Sequence, residues 1–123
     1  MNVTARISIF IAAAAACSSA PAMAQPSPVN EPAPGYSSLL KSDYSTAERE
    51  IRAANVSAYD PARAINLGIA LAKTGRAEEA AKQFKSVMLE EDVEMVVANG
   101  QTAMSHDVAQ RALTALESGA LSR

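Results

Sequence analysis

Apolar and polar residues follow three successive patterns along this chain. Residues 7–17 are almost continuously apolar, residues 25–35 carry a proline at every second to fourth position, and a helical period begins at Ser42. Tyr44, Ala47, Ile51 and Ala54 then fall on one stripe, with Glu48, Arg49, Glu50 and Arg52 mostly opposite, which predicts a helix ending near Asn55. Asp60-Pro61 is a helix start: a capping side chain, then the residue whose missing amide proton costs nothing at the first helical position. The second helix should run to about Lys73, where Thr74-Gly75-Arg76 breaks it. A third, from Ala77 to about Glu90, places Ala77, Ala80, Ala81, Phe84, Val87 and Met88 on one face and Glu78, Lys82 and Lys85 toward water. Glu78 and Lys82 have the spacing of a weak surface ion pair.

Beyond Asp92 the period changes. Val93 to Ala98 is rich in valine, Asn99-Gly100 suits a two-residue type I′ turn, and Gln101 to Ser105 follows, so residues 93–105 are expected to form a β-hairpin. A continuing helix is the alternative, and Asn-Gly in its middle would cost about 1.5 kcal/mol relative to alanines. Ser105 or Asp107 should cap a last helix with Val108, Ala109, Ala112, Leu113 and Leu116 on one face, closed by Gly119. The expected fold is mainly α with one short hairpin.

The first pattern reads as a leader. Arg6 is the only charge before position 31, and the apolar run is shorter than the roughly 20 residues that span a bilayer. Ala22-Met23-Ala24 has the small-x-small form accepted at a cleavage site, so residues 1–24 are expected to be a signal peptide cut after Ala24. Export to the periplasm or the extracellular space follows. Cys17 as a lipid-bearing first residue is the alternative, weakened by Ala14 where such sites usually carry Leu. Residues 25–41 are expected to be a proline-rich disordered tether, since prolines 26, 28, 32 and 34 remove donors and bias their predecessors to extended backbone. Residues 42–119 form the domain.

Composition narrows the function classes. Losing residues 1–24 removes Arg6 and no acid, so the formal charge moves from −2 to −3. Lys and Arg are interspersed with acids, which argues against nucleic acid, and no membrane span is expected in the mature chain. The single cysteine, Cys17, is in the leader, so the mature chain has no disulfide with which to staple itself. With Phe84 as its only Phe and no Trp, the core must be built from Ala, Leu, Ile, Val and Met.

Asn66-Leu67-Gly68-Ile69-Ala70-Leu71, then Gly75-Arg76-Ala77-Glu78-Glu79-Ala80 and Phe84, resemble a tetratricopeptide repeat. Leu67, Gly68, Leu71, Ala80 and Phe84 have the separations of that 34-residue helix pair. Ala64 stands where a bulky aromatic is usual, and Asp92 replaces the terminal proline. Gly68 makes sense unaided as a close-approach point between helices, with Ala80 as the small residue facing it. One full repeat, about residues 61–92, is joined by two partial ones: Ala47, Ile51 and Ala54 repeat the spacing of Ala80, Phe84 and Val87, as do Ala109, Leu113 and Leu116. The resemblance implies a ligand face on the first helix of the repeat, through Ala62, Arg63, Ile65, Asn66, Ile69 and Lys73. Arg63, Asn66 and Lys73 could grip a peptide carboxylate or backbone.

Catalytic chemistry is not expected. Ser105-His106-Asp107 contains the residue types of a hydrolytic triad, but chain neighbours point in different directions, and a hydrolase is the weakest of the readings. His106 is the only histidine, which with no mature cysteine leaves no transition-metal set, and the acidic run 90–94 lacks the glycine and ligand alternation of a calcium loop. No phosphate-cradling loop implies a cofactor. The expectation is a non-enzymatic module that binds a protein or peptide, or pairs with itself as a homodimer. A lipid-anchored accessory subunit of the envelope is the alternative.

Overall fold

The computed structural model describes residues 32–123, and the fold is that of Ala33–Arg123. The leader, its cleavage point, Cys17 and the prolines at 26 and 28 lie outside the described residues. Five helices and a two-stranded antiparallel sheet follow in order: α1 Tyr36–Leu40, α2 Tyr44–Ala53, α3 Pro61–Lys73, α4 Ala77–Val87, β1 Glu94–Val96, β2 Thr102–Met104 and α5 Ser105–Glu117. The mainly helical class with a hairpin inside 93–105 is what the period changes predict.

Helix α3 is the centre of the fold. Ala64, Ile65, Leu67, Gly68, Ala70, Leu71 and Ala72 are all buried, so α3 is apolar around most of its circumference. It touches α1, α2, α4 and α5. Asp60 caps it, Oδ1 accepting from the Arg63 amide at 2.8 Å, with Pro61 in the first turn. Its other end is a complete Schellman closure: Arg76 N donates to Leu71 O and Gly75 N to Ala72 O, with Gly75 at φ 84°. A Cβ at Gly75 would meet nothing within 4 Å, so the residue is there for its backbone angle alone.

The other helices each offer one stripe. Ala47 and Ile51 of α2, Ala80, Phe84 and Val87 of α4, and Ala109 and Leu113 of α5 join the α3 residues in a single core. The first two members of each repeated triplet are buried. Of the third members, Val87 is buried, while Ala54 and Leu116 are half-buried.

Five expectations need correction. Helix α1 falls within the 25–41 stretch expected to be a tether. It forms because the prolines stop at 34 and Gly35, at φ 76°, turns the chain into Tyr36–Leu40. Helix α4 ends at Val87, short of Glu90. The hairpin turn is not type I′: Gly100 N donates to Val97 O and Val97 N to Gln101 O, and among the described non-glycine residues only Ser42 has positive φ. Ala98 and Asn99 therefore form a type I turn, with Gly100 at φ 82° as the left-handed bulge residue of a three-residue loop. Asn99 Oδ1 accepts from Gln101 N, which favours this arrangement locally. The atoms pressed on Gly68 belong to Phe84, and none of the nearest belongs to Ala80. Among the described residues Glu78 and Lys82 form no ion pair, while Glu48 pairs with both Arg52 and Arg76.

Candidate functional site

The polar side chains expected on the ligand face of α3 are largely turned inward on the protein. Asn66 Nδ2 donates to the Pro34 carbonyl at 3.0 Å and so ties the chain ahead of α1 to α3. Lys73 Nζ donates to the Arg123 carbonyl. Arg63 is half-buried, and its Nε has no hydrogen-bond partner among the described residues. Ile65 is buried and Ile69 half-buried against the core. Asn66 and Lys73 are thus each bonded to the protein's own backbone, and Arg63 makes no side-chain hydrogen bond through Nε among the described residues.

Ser105, His106 and Asp107 make no side-chain hydrogen bonds to one another among the described residues. The carboxylate that reaches Ser105 and His106 is Asp92, thirteen residues from Ser105. Asp92 Oδ1 accepts from Ser105 Oγ at 3.2 Å and from His106 N at 2.9 Å. Ser105 Oγ, fully buried, also accepts from Val93 N at 3.0 Å, and Ser105 N donates to Val93 O. Its proton and an oxygen lone pair are thus both engaged, leaving no activated nucleophile. His106 Nε2 lies 2.8 Å from the Glu90 carbonyl, which can only accept, so that nitrogen carries the hydrogen. Residues 90–93 cap α5 from outside the helix, and neither Ser105 nor Asp107 does so. The reason is the direct passage from β2 to α5: Met104 occupies the capping position with no side-chain acceptor, so the first amides of the helix bond to Val93 and Asp92, just ahead of β1.

A second polar cluster joins α2 to the turn between α3 and α4. Glu48 on α2 accepts from Arg52 Nε at 2.8 Å and from both terminal nitrogens of Arg76, the residue ahead of α4. The hydrogen bond from Arg76 chiefly holds the Glu48 carboxyl below its ordinary range, against a smaller opposing effect of burial. Asp43, which caps α2 by accepting from Thr46 N, is also lowered, first by the Thr46 side chain and then by that amide. Both clusters are structural.

What is left open is the hairpin. Register pairs Glu94 with Met104, Met95 with Ala103 and Val96 with Thr102. The bonds at Val97–Gln101 and from Ser105 to Val93 make the odd-numbered residues of the first strand the hydrogen-bonded ones. Glu94 and Val96 therefore turn their N–H and C=O groups outward along the other edge of β1, where no strand among the described residues pairs with them. The same two residues, with Thr102 and Met104, form the solvent face, while Met95 packs on the core. Val96 is 68% exposed and Met104 38%, and they are diagonal neighbours. Leu89, between α4 and β1, is 84% exposed. The hairpin was legible in the sequence; its exposed valine and methionine were not, because a period of two does not say which face meets the core.

Among the described residues no group of three or more His, Cys, Asp or Glu is placed to hold a metal, and no helix is long and apolar enough to cross a membrane. No family model, curated protein or solved structure matches the chain.

Proposed function

We propose that this chain is a non-enzymatic protein-interaction module, exported to the periplasm or cell envelope and built on one helix pair of the tetratricopeptide type. The observation that carries the reading is the pairing of exposed Val96 and Met104 with an unpaired strand edge on the same hairpin. An open edge with apolar side chains is the usual substrate for strand addition by a partner. The short turn between α3 and α4, and the Gly68–Phe84 contact between them, support the repeat-like description. Partner contact shifts in this reading from Arg63, Asn66 and Lys73 to the hairpin.

Crosslinking in the native envelope tests it. A protein captured by the wild-type chain and lost with Val96→Asp or Met104→Asp, both folded by circular dichroism, supports the module. Equal capture by all three overturns the hairpin as its binding surface. Mass spectrometry of the mature chain tests the compartment: a start at Gln25 fits a freely exported protein, whereas a lipid on Cys17 makes it an anchored accessory subunit.

A further inference from the structure

The residues around the open strand edge carry charge of one sign. Glu90 and Glu91 lie on the segment that leads from α4 into β1, and Glu94 is within β1. All three are exposed, and the ion pairs among the described residues involve none of them. Asp92, between them, is committed to capping α5. The acids are therefore not consumed by the fold. Glu94 shares the outer face of the ribbon with exposed Val96, two residues on, and with Met104 directly across, while exposed Leu89 precedes the acids in the chain.

That combination limits what can lie alongside. A strand added to β1 would receive hydrogen bonds from, and give them to, Glu94 and Val96. Its residues opposite them would face a carboxylate and an isopropyl group on the same side. Opposite charges directly across an antiparallel pair stabilise it, and like charges oppose it. A second copy of this chain would bring its own Glu90, Glu91 and Glu94 to the same place, so self-pairing meets repulsion from both sides. We propose that the free edge and outer face of the hairpin receive an extended segment of a partner protein in which Lys or Arg and Val or Ile occur two positions apart. This rests on the interaction-module reading and names the chemistry of its partner.

The probe is a synthetic peptide, Lys-Thr-Val-Thr-Lys, titrated into the full chain and followed by amide shifts in NMR. The expected result is shifts centred on Glu94 and Val96, lost with Val96→Asp, and an affinity that falls as salt is raised. Replacing Glu90, Glu91 and Glu94 together by Gln should weaken binding about tenfold, the sum of three exposed ion pairs. N-methylation of the peptide valine removes a ladder donor and should abolish the shifts. Equal binding of the acidic analogue Glu-Thr-Val-Thr-Glu overturns the basic-partner proposal and leaves the module reading standing. So does a salt-resistant dimer of the chain alone that Val96→Asp dissolves, since the occupant is then a second copy. Binding of neither peptide also overturns the proposal, and the crosslinking comparison then decides separately whether the module reading survives.

Discussion

The ring of Phe84 lies where a side chain on Gly68 would have to go: a Cβ at Gly68 would stand 2.5 Å from Phe84 Cε1 and 2.8 Å from Cζ. The two residues are interdependent, because α3 and α4 pack at a separation that only a bare Cα allows. Phe84 has no exposed surface and is the largest side chain of the core, so it cannot swing aside without leaving a void.

Gly68→Ala should therefore destabilise the fold. Overpacking costs about 1–3 kcal/mol, and the better helix propensity of alanine returns about 1 kcal/mol, so a modest net loss of stability is expected in urea denaturation. Phe84→Leu alone should also cost stability. The double variant should be more stable than the sum of the two losses implies, and strict additivity would show that the contact does not limit the helix separation.

Gly35→Ala should be worse than its position at the edge of a proline-rich stretch suggests. Its φ of 76° disfavours a side chain, and a Cβ there would stand 2.6 Å from Ile51 Cγ1 and 3.1 Å from the Ala47 carbonyl. The left-handed angle alone costs about 1–2 kcal/mol. The expected loss is at least 2 kcal/mol, adding about 1 kcal/mol or more of overpacking to that angle. A melting temperature equal to wild type would mean that α1 is not docked on α2 in solution.

Asp92→Ala removes the acceptor for two groups at the start of α5, the Ser105 hydroxyl and the His106 amide. Loss of a helix cap costs about 1–2 kcal/mol. Hydrogen exchange should quicken first at His106 and across the hairpin, with little change in the amides of α3. Asp107→Ala, by contrast, should leave exchange at His106 nearly unaltered.

Stability should fall in acid partly through Glu48. Its folded-state carboxyl titrates below the ordinary glutamate range, mainly because Arg76 hydrogen-bonds the ionised form. A lowered folded-state value means a contribution fully present above the unfolded value and lost as pH falls through the folded one. Glu48→Gln should cost about 1 kcal/mol near neutrality. That difference from wild type should shrink as thermal melts are taken from pH 6 toward pH 3, and a constant difference would count against the ion pair as its source.

Local sequence chemistry determined much of this protein. Asp60-Pro61 and Thr74-Gly75-Arg76 specify the bounds of α3 because capping and left-handed closure need only a few adjacent residues. The apolar spacings 47/51, 80/84 and 109/113 identified the buried stripes, since helical periodicity is itself a statement about faces. Contacts between distant residues were decided only by the tertiary structure. Gly35 against Ile51, Gly68 against Phe84, Asp92 at the foot of α5 and Asn66 on the Pro34 carbonyl join residues 13 to 32 positions apart, and no period encodes them. The same holds for the interaction surface. The resemblance offered Asn66 and Lys73 to a ligand, and in the fold they bond the Pro34 and Arg123 carbonyls. Val96 and Met104 looked like ordinary strand residues, and the docking of Met95 on the core left them facing water.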